Sequence, residues 1–159
     1  MGLYNFKERF APRIQRWAED PTHPEAKGHT IRAPRKGGRE EKPGNAMYLY
    51  TELRRKGAAR IIEPPICAKR ESVVIRRNES WFEVWIGEFL DDVLDNRLRQ
   101  MLVIRNPDWR GLVLLDDAEC EQLARRDGFA SFEEMMCFWD GRLPFYGHVF
   151  HWQKATSAS

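Results

Sequence analysis

Lys27, His29, Thr30 and Arg32 fall within six positions of one another in PEAKGHTIRAPRK, directly before a basic loop. A threonine hydroxyl becomes a useful nucleophile when a neighbouring base takes its proton. A lysine can be that base if burial or a nearby cation lowers its pKa. An arginine close by can stabilise an anionic intermediate. These are the groups needed to hydrolyse an amide, completed by a carboxylic acid from elsewhere in the chain to protonate the leaving nitrogen. In an extended segment Thr30 and Arg32 share one face, and His29 and Ile31 take the other. Gly28 lets the backbone fold so that the stem of Lys27 approaches Thr30. His29 is therefore expected to pack or to be solvated, facing away from the reacting groups. The same residue types also suit a plain strand, with Thr and Ile favoured there and Lys and Arg as solvated neighbours.

Other groups that attract attention are less well placed. His148 and His151 are three apart in a strand, on opposite faces, which is poor geometry for shared metal ligation. With the remaining histidines and cysteines scattered, neither a metal nor any other cofactor is expected. Tyr48 and Tyr50 share a strand face, and Tyr50 follows the basic loop closely enough to be a candidate for stacking a base. Basic residues run through Arg32, Arg35, Lys36, Arg39 and Lys42 and resume at Arg54, Arg55, Lys56 and Arg60. Glu40 and Glu41 interrupt them. This strip is either a solvated loop or a means of holding RNA or a nucleotide phosphate, with Arg35 and Arg54 as substrate contacts.

Those residues need elements to hold them. A short strand over Leu3–Phe6 leads into a helix over Ala11–Ala18, opened by Pro12 in its first turn. The segment EDPTHPEAKG reads as a loop, His29–Ala33 as a short strand and Ala46–Thr51 as a clear one. Arg60–Ile62 resumes extended structure before Pro64 and Pro65 interrupt it. Cys67, Val73–Arg76 and Trp81–Ile86 read as further strands. Residues 87–111 fit a helix or a strand equally well. Leu112–Leu115 is a strand candidate. One helix follows from Asp116 or Asp117 to about Arg126, and a second opens at Ser131 with a capping box to Glu134 and runs through Trp139. Phe145–Trp152 is the last strand. Strands and helices out of alternating order give an α+β domain built on a small curved sheet or barrel. The expected division is one domain over 1–153 and a polar tail over 154–159.

The chain has 159 residues, 42% hydrophobic, with six Trp and nine Phe, enough for one folded core. Its net charge of +2 hides an asymmetry. Residues 1–77 hold 18 Lys/Arg against 9 Asp/Glu, and residues 78–159 hold 8 against 15. Such halves either neutralise one another across the fold or leave a positive face for a phosphate or RNA. Three separated cysteines, no apolar run near the roughly 20 residues of a membrane span and no secretory h-region point to free thiols in a cytoplasmic, non-membrane protein.

The segments YNFKERFAPRI, KGHTIR, KPGNAMYLYTELRRKGAARI, DGFASFEEM and LPFYGHVFHW, in that order, resemble the ASCH family, whose fold is a small PUA-like β-barrel with flanking helices. Within it the pattern is most similar to the YqfB-type amidohydrolases, which remove the acyl group from 4-acetylcytidine and related 4-acylcytosines. The resemblance implies Thr30 as nucleophile, Lys27 as its base, Arg32 as anion stabiliser and Asp127 as the acid. Asp127 stands where those enzymes carry a Glu, so Glu121 and Glu119 are the substitutes. A second departure is EDPTHPEA, inserted between the helix and the lysine. The partner implied is a cytidine-type nucleoside or RNA. The family also includes RNA-binding modules and ribonucleases, which stand as alternatives.

Overall fold

A computed structural model describes residues 2–35, 40–53 and 56–155. The fold is α+β, with eight strands in two sheets and four α-helices among the described residues. Strand β1 (Gly2–Phe6) lies parallel to β3 (Met47–Thr51), which pairs antiparallel with β4 (Ala59–Arg60). The second sheet runs in the order β2 (His29–Arg32), β8 (Phe145–Gln153), β5 (Ile66–Asn78), β6 (Trp81–Glu88) and β7 (Val113–Leu114). A bridge between Ala46 and Ile66 links the sheets. The described strands thus form two open sheets rather than the closed barrel expected.

Strand β1 follows period-two logic: Tyr4 and Phe6 are buried while Leu3 and Asn5 face outward. Strand β5 reads VVI because it is covered on both faces. Val73 and Ile75 enter the main core, and Val74 enters a smaller cluster with Val103 and Ile104 of α2 (Arg97–Arg105). It is one strand of 13 residues, where the sequence suggests separate pieces. The polar stretch KRES inside it conceals the continuity, and the register shifts between Cys67 and Lys69. The ambiguous 87–111 region holds α2 between two short 3-10 turns, with Asn96 Oδ1 capping the Arg99 amide.

Helix α1 (Ala11–Glu19) carries Pro12 in its first turn and buries Ile14 and Trp17. Helix α3 (Asp117–Arg126) opens with a reciprocal capping box between Asp116 and Glu119. At α4 (Phe132–Trp139) the box expected of Ser131 and Glu134 is only half made. Ser131 Oγ accepts from the Glu134 amide, but the Glu134 carboxylate accepts from Ala130 instead. Cys67, Cys120 and Cys137 are free thiols. Among the described residues no helix is long and apolar enough to cross a membrane.

Candidate active site

Lys27 reaches the interior because the chain on either side of it is tied down. Its amide donates to Arg13 O in α1, the Gly28 amide donates to Arg126 O at the end of α3, and Gly28 O accepts from the Trp152 amide. A Cβ on Gly28 would meet the Trp17 ring at 3.0 Å, so a side chain there would press on that ring. On the other side, α3 ends at Asp127 and the chain reverses through Gly128 at φ +97°. A Cβ at Gly128 would press on Phe10 at 2.8 Å and Lys27 Cδ at 2.9 Å. Gly128 is what allows Asp127 and Lys27 to meet.

Lys27 Nζ donates to Asp127 Oδ1 at 3.0 Å and to the Asp127 carbonyl, with side-chain exposures of 3% and 8%. The ammonium also sits 5.1 Å from the Phe10 ring centre and 5.5 Å from that of Phe6. On β2, Arg32 Nε donates to Thr30 Oγ1 at 3.1 Å and Arg32 Nη2 donates to Asn5 O at 3.0 Å. Lys27, Thr30, Arg32 and Asp127 all line one cavity of about 440 Å³. Six aromatic side chains line it: Phe6, Phe10, Phe129, Phe138, Trp139 and Phe145.

Burial sets the electrostatics of the pair. It pushes the Asp127 carboxyl up from the usual range, against the pull of Lys27, and it pushes the Lys27 ammonium down, against the pull of Asp127. Both shifts favour moving the proton from lysine to aspartate. If that proton moves, the ion pair becomes an amine base next to a carboxylic acid.

The remaining candidates divide. Glu121 does not line the cavity; its Oε1 accepts from the Phe132 amide at 3.3 Å, at the start of α4. Glu119 is occupied in the capping box. Of the carboxylates considered, Asp127 is the one in the cavity. Arg35 lies over the Tyr4 ring at 4.7 Å, outside the cavity wall. Tyr50 sits in β3 opposite Asn5 and Arg60 and does not line the cavity either. Arg54 lies outside the described residues, as do Lys36, Arg39 and Arg55.

His29 is packed, one of the two outcomes expected of it. It does not line the cavity, but it is buried and close to the reacting groups, with Nε2 3.6 Å from Asp127 Oδ1. Burial, followed by the charges of Lys27, His151 and Arg126, holds its pKa well below the usual histidine value, so it is neutral. His148 and His151 take different partners, Glu40 and Glu71. No group of three or more His, Cys, Asp or Glu among the described residues could hold a metal ion.

The aromatic walls and two cations of the rim, Lys7 and Arg142, were not among the residues the sequence singled out. The signal for several of them was present, since YNFKERF and DGF flank the chemistry in space, but they served only as fold markers. No protein-family model, curated protein or solved structure matches the chain.

Proposed function

We propose that the protein is an amidohydrolase that removes the acyl group from a 4-acylcytosine base, within an ASCH-like, PUA-related fold. The observation that carries this reading is the convergence of Lys27, Thr30, Arg32 and Asp127 on one aromatic-walled cavity, with Lys27 and Asp127 separated by 100 positions in the chain. A flat pyrimidine ring suits walls of Phe and Trp, against which bases stack.

The residues divide the work as follows. The Lys27 proton first passes to Asp127, and Thr30 Oγ1 then attacks the acyl carbon as its own proton passes to the freed Lys27 amine. Arg32, already donating to Thr30 Oγ1, favours the developing alkoxide and then the oxyanion of the tetrahedral intermediate. The bond from carbon to the exocyclic nitrogen breaks, and Asp127 gives its proton to that nitrogen, releasing the cytosine amine. Water then attacks the Thr30 ester, releasing the carboxylic acid and restoring the hydroxyl. Lys27 Nζ is bonded to Asp127, with no hydrogen bond to Thr30, so the attack requires it to swing from one to the other. Apo sites often show such slack, which closes around substrate.

The test is to incubate the protein with 4-acetylcytidine and follow the release of cytidine by absorbance. Turnover is expected, with Lys27→Met and Thr30→Val each reducing it by about 10²–10⁴-fold. No release, together with salt-sensitive binding of single-stranded RNA, overturns the reading in favour of a non-enzymatic RNA-binding module. Turnover that survives both substitutions overturns the residue assignment.

A further inference from the structure

The mouth of the cavity carries cations that the chemistry above does not use. Lys7 Nζ lies 5.2 Å from the centre of the Phe138 ring, Arg142 Cζ 4.4 Å and Arg9 Cζ 5.6 Å. Three positive groups thus gather on one aromatic side chain of the cavity wall. Among the described residues none of the three forms an ion pair with a carboxylate. Arg32 and Lys27 add two more positive groups deeper in, against the single carboxylate of Asp127.

A cation over an exposed ring gains about 0.5–1 kcal/mol, and screening by salt softens the repulsion between neighbours. Neither effect supplies a counter-charge for three cations that share one ring of the cavity wall and have no carboxylate partner among the described residues. An anion placed between Lys7 and Arg142 does: it supplies the counter-charge, and both side chains can form charge-assisted hydrogen bonds to it. A ring in the cavity with an anion at its mouth is the layout of a nucleotide, with base inside and phosphate outside.

We propose that the ligand of this site carries a phosphate on its ribose, held at the rim by Lys7 and Arg142 with Arg9 behind them. This rests on the reading that a cytosine-type base occupies the cavity. The phosphate can be the monoester of a free nucleotide or a diester within an RNA strand, and the two sources are separable by experiment.

Affinities for cytidine, cytidine 5′-monophosphate and a short cytidine-containing RNA are measured by calorimetry, on the wild-type chain and on Lys7→Gln/Arg142→Gln, at low and high salt. The two rim side chains are exposed, so folding is not at stake. The expected result is at least about tenfold tighter binding of the monophosphate than of cytidine, equivalent to about 1.4 kcal/mol. That preference should shrink several-fold in the double variant and at high salt. RNA binding more tightly than the mononucleotide, with the same dependence on the variant, assigns the phosphate to a strand. Equal affinity for nucleoside and nucleotide, or a preference untouched by the double variant, overturns the proposal. Cytidine release from 4-acetylcytidine, measured alongside, keeps the two readings apart. Turnover without phosphate preference sinks only the rim, and phosphate preference without turnover sinks only the hydrolase.

Discussion

Two buried carboxylates, Asp127 beside His29 of β2 and Glu40 beside His148 of β8, behave in opposite ways. Both are removed from water, and burial pushes both pKa values upward. For Asp127 that push prevails, because only Lys27 bonds to its carboxylate. For Glu40 it does not. One oxygen accepts from the Arg35 amide and the other meets His148 Nδ1 at 3.2 Å, and these bonds hold its pKa below the usual value. Hydrogen bonds, rather than depth, decide which buried acid stays fixed as an anion and which can exchange a proton. The contrast separates a carboxylate suited to chemistry from one that fastens the chain on either side of residues 36–39.

The sharpest way to break the comparison is to remove Lys27. Lys27→Met strands Asp127 in the interior, and a cost of about 3 kcal/mol is expected at neutral pH from denaturant unfolding. Adding Asp127→Asn should restore most of that stability while catalysis remains absent, since a neutral pair suits the site. If the single variant is as stable as wild type at pH 7, the buried ion pair is not the constraint described.

Glu40→Gln comes next, with an expected loss of about 1.5–3 kcal/mol at pH 7, the scale of hydrogen bonds to a charged group. Because the folded pKa of Glu40 is depressed, its contribution exists above the unfolded value and fades as pH falls through the folded one. The gap between wild type and variant should therefore narrow below about pH 4.3. A gap that stays constant to pH 3 would make Glu40 a packing residue only.

His29→Phe gives the smallest effect. A neutral buried histidine contributes stability above its unfolded pKa, about 6.5, and loses it as pH drops. Replacing it should flatten the decline in thermal stability between about pH 7 and pH 5, and an unchanged decline would count against its neutrality.

Much of this was readable in the sequence, and the parts that were not share physical causes. Pro12 marked the first turn of α1, and Leu3–Phe6 and Trp81–Ile86 read as strands where β1 and β6 stand. Helix α2 carries Leu98, Met101 and Leu102 exposed alongside buried Val103 and Ile104, so its apolar residues circle the axis and no stripe betrays it. Its N-cap, Asn96, went unread for the same reason. At the site, the spacing of Lys27, Thr30 and Arg32 could be read because they are neighbours in one segment. The contact from His29 to Asp127 and the diversion of Glu121 to the start of α4 depend on where α3 stops, which no local pattern states. The same holds for the wall, whose phenylalanines look like core residues until a cavity is seen beside them.

Among the described residues strand β2 has a single partner, β8, with Thr30 opposite Phe150 and Arg32 opposite His148. On a ribosome Thr30 and Arg32 have no strand to pair with until more than a hundred further residues have been added. Pairing over such a separation is slow, because loop closure must come before any reward from contact. The cytidine release proposed above should therefore appear only when β8 has left the exit tunnel, and a nascent chain halted before Phe145 should show none.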